Sequence, residues 1–235
     1  MSNLIPILMY HSIDDNSKNS VKIESFTKQM TLMKKLGYKS INLCELEEYK
    51  NCNKKVFVVT FDDGYESIYK NALPILKKFN FNGTCFIVYN SIDKYNTWDK
   101  NINNFKKMKI MNEDQINQWI KCGNEIGSHT LDHYDLLKLN ENDSTDQIAK
   151  SRKKINTKFN ITIKSFSYPY GHFNFKIKKI VKQFYKFSVT TKRSRYKINK
   201  FSDFEIPRIP INNNTNLVKF FLKIKTFYED IKFTN

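Results

Sequence analysis

The sequence predicts an α/β fold: a closed or nearly closed barrel of about seven parallel strands, with a doubly wound open sheet as the alternative. Two observations lead there. Short apolar runs alternate with amphipathic stretches along nearly all of the 235 residues, the pattern of parallel strands joined by crossover helices. The residues best suited to chemistry stand just after those apolar runs, where a parallel barrel places its active site.

Taken in order, residues 5–10 form the first apolar run and read as a strand. Residues 24–36 carry Phe26, Met30, Met33 and Leu36 at helical spacing, and Gly37 follows as a C-cap. Val56–Phe61 is an unbroken β-branched and aromatic run, as in a strand buried on both faces. Residues 66–79 read as a helix that Pro74 should kink or shorten by its last turn. Residues 84–89 are a strand, and 91–110, without clear period, an excursion from the barrel. Residues 112–122 are a helix with Glu113 and Asp114 at the positive end of its dipole. Glu125–Ser128 is a short strand and 142–159 a helix. Strands at 164–168, 187–191 and 206–211 follow, with helices at Phe175–Phe184 and 216–232. There is no internal repeat or long linker, so residues 1–235 are expected to form a single domain.

The formal net charge is +17, and Arg152, Arg193, Arg195 and Arg208 supply four of the 40 positive side chains. A Lys- and Asn-rich composition of this kind follows from an AT-biased genome, or else makes a field that attracts anions. Scarcity of Arg argues against reading base edges, so no specific nucleic-acid partner is expected. The first apolar run lacks a basic flank and is too short for a signal peptide or a membrane span. Cys44, Cys52, Cys85 and Cys122 show no CxxC spacing. A cytoplasmic protein is expected, with peripheral contact to the inner, anionic membrane face left open.

All four histidines fall at strand ends: His11 after the first run, His129 and His133 after the strand at 125–128, and His172 after 164–168. Spacing of i, i+4 would put His129 and His133 on one face of a helical turn, close enough to share a cation. Asp62-Asp63-Gly64 ends the buried strand at Val56–Phe61. Its plainer reading is a turn, but two carboxylates at the end of a buried strand are costly unless they bind metal or move protons. Two histidines and one aspartate make three ligands and leave a fourth position open, as in catalytic zinc sites.

Val59-Thr60-Phe61-Asp62-Asp63-Gly64-Tyr65, Gly127-Ser128-His129-Thr130-Leu131-Asp132-His133 and Phe166-Ser167-Tyr168-Pro169-Tyr170-Gly171 resemble, in order, three signature motifs of the polysaccharide deacetylase family, the NodB-homology domain of carbohydrate esterase family four. The resemblance implies a distorted (β/α) barrel with fewer than eight strands and a divalent metal held by Asp63, His129 and His133. That donor set suits Zn first, with Co, Ni or Fe as alternatives. It also implies Asp62 as catalytic base and the backbone N–H of Tyr170 as oxyanion donor. No histidine follows His172, so the C-terminal Leu-x-x-x-His acid motif of many members is absent. Leu8-Met9-Tyr10-His11 instead resembles the Tyr-His element of a permuted subgroup that includes enzymes deacetylating poly-N-acetylglucosamine, which implies His11 as the acid. His172 is the rival for that role and otherwise a rim or surface residue. Where the family's third motif carries a base-tethering Arg, this chain has Ser167; Arg208, on the last strand, is the candidate replacement.

The expected reaction is metal-assisted hydrolysis of an N-acetyl group from an N-acetylhexosamine, releasing acetate. The Lys-rich surface and absent signal point to a polyprenyl-phosphate-linked amino sugar, as in lipid A or envelope modification. Poly-N-acetylglucosamine, peptidoglycan or chitooligosaccharide is the alternative, and a basic nucleic-acid- or sugar-binding module the non-enzymatic one. The aromatic excursion (Tyr95, Trp98, Phe105) could be a lid or lipid contact, or a surface loop. The apolar stripe of 216–232 reads as the core face of an outer barrel helix.

Overall fold

Period-two alternation within the apolar runs decides which side chains fill the barrel and which meet the helices around it. The computed structural model describes residues 4–16, 20–50, 52, 54–100, 105–198 and 200–232. Its strands are β1 (Leu4–Ile5), β2 (Ile7–Tyr10), β3 (Lys39–Ile41), β4 (Val56–Phe61), β5 (Thr84–Ile87), β6 (Glu125–Ser128), β7 (Ser165–Ser167), β8 (Phe187–Arg193), β9 (Tyr196–Lys197) and β10 (Ile206–Pro210). The α-helices are α1 (Ile23–Lys35), α2 (Leu46–Tyr49), α3 (Leu73–Phe79), α4 (Glu113–Lys121), α5 (Glu141–Phe159), α6 (Phe175–Phe184), α7 (Leu217–Lys225) and α8 (Tyr228–Lys232).

Seven strands form a closed parallel ring in the order β2-β4-β5-β6-β7-β8-β10, and β10 returns to β2 through Ile209 opposite Leu8. The barrel, rather than the open sheet, is therefore the fold. β3 lies outside the ring and runs parallel to the first half of β4, on the edge whose second half pairs with β5. Periodicity does not reveal it, because three residues beginning with a lysine show no alternation. Pro6 divides the first run, since it has no N–H for the ladder; β1 pairs antiparallel with β9 instead. The β8–β10 connection carries β9 rather than a helix, one source of the barrel's distortion.

Along β4, Val56 and Val58 belong to an inner cluster with Ile7, Phe86, Phe187, Val189 and Ile206. Phe57, Val59 and Phe61 belong to the outer cluster with Phe26, Met30, Leu76 and Trp119 of the helices. Gly127 is demanded by this interior: a Cβ there would come 2.5 Å from the Phe86 ring and 2.9 Å from the Ser165 carbonyl.

Two helices differ from expectation. The helix at 66–79 is broken before Pro74 rather than after it: Ile68–Ala72 is a π-turn in which the Leu73 N–H donates to the Ile68 carbonyl, and α3 starts with the proline in its first turn. Proline lacks the N–H that would bond to residue 70 and its ring crowds that carbonyl; the wider turn absorbs both. The terminal helix is two, α7 and α8, separated at Thr226, which is extended. Phe220 and Ile224 are its core face, as expected, but Leu217, Val218, Phe221, Phe227 and Ile231 are exposed. No described helix is long and apolar enough to cross a membrane.

Candidate active site

The inward series of β4 continues from Val56 and Val58 to Thr60 and Asp62, and the inward position of β10 is Arg208. Arg208 is fully buried. Its guanidinium grips Asp62 with both arms, Nη1 to Oδ1 at 2.8 Å and Nη2 to Oδ2 at 2.7 Å. It also donates to the Thr190 carbonyl at 2.9 Å, Thr60 Oγ1 at 3.1 Å and Ser167 Oγ at 3.3 Å. Burial alone would push the Asp62 carboxyl up; the charge and hydrogen bonds of Arg208 outweigh it and hold the group well below the usual carboxylate range. Ser167, standing where the family's motif has Arg, lies against Arg208 itself.

Asp63, one residue on, takes φ 73°. That left-handed turn lets two adjacent carboxylates serve different partners: Asp62 faces Arg208, while Asp63 Oδ1 lies 3.6 Å from His129 Nε2 and 3.4 Å from His133 Nε2. All three residues are buried, with one ligand atom from each within 4.8 Å of the others.

The histidines do not share a helical turn, as their spacing suggested. They stand on an irregular loop after β6, with Thr130 at φ 70° and His133 at φ 61°. Strained backbone persists only where its surroundings over-determine it. Thr130 Oγ1 accepts from the His133 N–H at 3.0 Å, and Gln147 Oε1, reaching from α5, accepts from the N–H groups of Leu131 and Asp132 at 3.1 and 3.0 Å. Gln147 Nε2 donates to Asp132 Oδ2 at 2.7 Å. Sequence reasoning missed Gln147, which carries no motif and is defined by the packing of α5 against this loop.

The donor chemistry fits a divalent cation. His129 Nδ1 lies 2.7 Å from the Ser167 carbonyl, which can only accept, so Nδ1 carries a proton and Nε2 is the nitrogen turned toward Asp63. Burial, reinforced by His129, pushes the His133 pKa down to about 3, which keeps that ring neutral and able to ligate. Among the described residues, the only ion-pair partners of buried Asp63 are these two imidazoles. A buried carboxylate gathered with two imidazole nitrogens is the donor set that a divalent cation would satisfy.

Around this group lies a cavity of about 410 Å³ that includes His11, Tyr65, Trp98, Asp99, Phe105 and Tyr170 in its walls. His11 is exposed at its edge. Tyr170 takes φ 58° and packs its ring on His133, centroids 4.7 Å apart; Trp98 stacks on the same imidazole at 4.9 Å. Gly171 cannot be replaced without strain, since its φ is 72° and a Cβ would stand 2.0 Å from Thr191 Oγ1. The Tyr65 hydroxyl lies beside Asp63 and Asn96, and its pKa is raised by burial and by the Asp63 charge. Asp99, which the sequence did not single out, is half-buried, and burial together with Asp63 raises its pKa. His172 is outside this cavity, at the surface, with Nδ1 3.0 Å from Asp135 Oδ2. In the excursion, Trp98 and Phe105 are cavity walls and Tyr95 is partly exposed; residues 101–104 lie outside the described set.

A family model described as "Polysaccharide deacetylase" matches residues 49–185, a span that leaves out His11 and Arg208. The chain is 31% identical over 192 residues to the Bacillus subtilis (strain 168) protein named "Putative polysaccharide deacetylase YxkH", covering 80% of this chain and 64% of that protein. It is 28% identical over 208 residues to the poly-beta-1,6-N-acetyl-D-glucosamine N-deacetylase of Staphylococcus epidermidis, covering 83% of this chain and 69% of the relative. Among solved structures, BC0361, a polysaccharide deacetylase from Bacillus cereus, superposes with a TM-score of 0.82 over 95% of this chain and 70% of its own; at 24% identity this shows a shared fold.

Proposed function

Because the chain belongs to the polysaccharide deacetylase family, we propose that it hydrolyses the N-acetyl groups of an amino-sugar polymer and releases acetate. The observation that carries this reading is the split aspartate pair: Asp62 is locked to Arg208 while Asp63 turns away to two imidazoles. Asp63, His129 and His133 would hold a divalent cation, Zn before Co, Ni or Fe. Asp62 is the base, Arg208 its positioning residue, His11 the acid, and the Tyr170 N–H the oxyanion donor.

Arg208 fixes the orientation of Asp62 and keeps it ionised, which also makes it a weak base. The water it deprotonates must therefore be acidified, and that Lewis acidity is what a divalent cation at the three ligands supplies. Asp62 takes the proton as the water's oxygen attacks the acetamide carbon. The Tyr170 N–H meets the charge that develops on the carbonyl oxygen, a contribution of about 3–4 kcal/mol for one such donor. An amide nitrogen leaves poorly unprotonated, and the acid role falls to His11, which lines the same cavity.

On substrate, relatives named for poly-beta-1,6-N-acetyl-D-glucosamine favour a polymer over the lipid-phosphate-linked sugar expected from the Lys-rich charge. No comparison supports the lipid-linked reading or membrane contact. The deciding experiment is acetate release by the metal-restored enzyme from poly-β-1,6-N-acetylglucosamine, chitooligosaccharides, a UDP-linked N-acetylhexosamine and a polyprenyl-phosphate N-acetylhexosamine. Release from the β-1,6 polymer is expected; release from the lipid-linked sugar alone would restore the other substrate, and none from any would overturn the enzymatic reading.

A further inference from the structure

We propose that Gln147 of α5 is a positioning residue for the metal ligand His133: it fixes the backbone turn that aims this ring, and so sets how tightly the three ligands hold a cation. The inference rests on the cation-binding reading of the site and deepens it.

The two histidines are held in different ways. The His129 ring is oriented by its own hydrogen bond, from Nδ1 to the Ser167 carbonyl at 2.7 Å, the usual device for a metal-ligating imidazole. His133 Nδ1 is buried, and among the described residues no group bonds to it. Its ring is packed instead, by Trp98 stacked at 4.9 Å and by Tyr170 edge-on at 4.7 Å. Packed rings resist tilting, but they do not choose the direction of Nε2 within the ring plane. That direction follows from where the main chain sets Cβ.

The main chain there is left-handed at both Thr130 and His133, with φ 70° and 61°, a conformation that a β-branched residue such as Thr130 adopts only under constraint. The constraint comes from α5. The N–H groups of Leu131 and Asp132 both donate to Gln147 Oε1, at 3.1 and 3.0 Å. Successive N–H groups converge on one acceptor where the backbone curls around it. Gln147 Nε2 closes the turn from the other side, donating to Asp132 Oδ2 at 2.7 Å.

The rest of the helix face serves the same loop. Ser144, Gln147 and Ser151 share one face of α5 by spacing, and all three are buried, at 0%, 8% and 0% exposure. An outer barrel helix would ordinarily turn apolar residues inward here. Ser151 Oγ lies 2.7 Å from Ser128 Oγ, which accepts from the Thr130 N–H at 3.2 Å, and Ser144 Oγ donates to the Leu136 carbonyl at 3.2 Å. The serines pin the two ends of the loop, and Gln147 holds the turn between the histidines.

The test is binding of Co(II), whose visible absorption reports ligand geometry as well as occupancy. Gln147→Met keeps the side-chain length and removes all three bonds; it should weaken Co(II) binding by about 10- to 100-fold and change the spectrum of the bound ion. Gln147→Glu keeps both N–H bonds but sets a carboxylate against Asp132, so it should lose less, and it carries the test should Gln147→Met not fold. Adding Asp132→Asn to Gln147→Glu supplies an amide donor from the loop side and should recover both affinity and spectrum. Single variants that bind Co(II) like the wild type, with its spectrum, overturn the positioning role and leave the cation site standing. A double variant no better than Gln147→Glu also overturns it, because the bond pattern would then not matter. A wild type that binds no Co(II) overturns the cation reading itself.

Discussion

Replacing Arg208 with methionine keeps an unbranched stem inside the barrel and removes the guanidinium. Five hydrogen bonds go with it, two of them to the carboxylate of Asp62 at 2.8 and 2.7 Å. The Arg208 side chain is 0% exposed and that of Asp62 5%, so water cannot replace the lost partner. An exposed ion pair would be worth about 1 kcal/mol or less; stranding one partner of a buried pair costs about 3–5 kcal/mol. That is between two and four decades in the folding equilibrium, at about 1.4 kcal/mol per decade. The pH dependence carries a sign. In the wild type the Asp62 carboxyl is held low, so its stabilisation is present above the ordinary carboxyl pKa and is lost as pH falls through the folded value. In Arg208→Met the main opposing charge is gone, so burial outweighs the smaller influence of His129 and His11 and the carboxyl shifts up. The stability gap is therefore full at neutral pH and begins to narrow above about pH 3.9 as the variant's Asp62 takes up its proton. Urea unfolding across that range measures the gap. Arg208→Lys should fall between the two proteins, because one ammonium cannot bridge both carboxylate oxygens. A cost below about 1 kcal/mol at pH 7, or a gap that does not narrow on acidification, refutes the reasoning.

Three further outcomes are expected. His11→Ala should keep metal by equilibrium dialysis but lose turnover, whereas His129→Ala should lose the metal; near-normal acetate release from His11→Ala would remove the acid assignment. Gly171→Ala should cost more than about 1 kcal/mol in thermal unfolding, since the left-handed backbone and the Thr191 contact both oppose it; adding Thr191→Ala should recover only the steric share, and full recovery would show that the backbone angle is unimportant. At the other end of the barrel, burial raises the Glu125 pKa against hydrogen bonds from Ser165, Thr84 and Cys44. A raised folded pKa contributes stability below the unfolded value of about 4.3 that is lost as pH rises through the folded one. Glu125→Gln should flatten the stability profile above that pH, and parallel profiles for the two proteins would count against it.

Much of the site is legible in the amino-acid sequence. Strand-end position picks out Asp62, Asp63, His129, His133 and His11, and the cavity contains all five. The pattern is readable because each residue follows a run whose apolar character already marks it as a buried strand. Details that depend on backbone angle are not. Spacing alone makes the loop bearing His129 and His133 look helical, but positive φ at Thr130 and His133 brings the rings together by another path. Those angles are held by Gln147, across the boundary between loop and α5, and no local propensity encodes them.

The sequence by itself determined the alternation of elements, the burial of β4, and the donor set at the strand ends. Periodicity and residue chemistry act between neighbours in the chain, which is the range over which a sequence can be read. Only the tertiary structure decided that the sheet closes, that β10 lies beside β2, and hence that Arg208 reaches Asp62 across 146 residues of chain. It also decided that Trp98 walls the catalytic cavity rather than covering a surface. The meeting of Arg208 and Asp62 follows from closure of the barrel, because contacts between distant segments exist only once every strand has found its place in the ring.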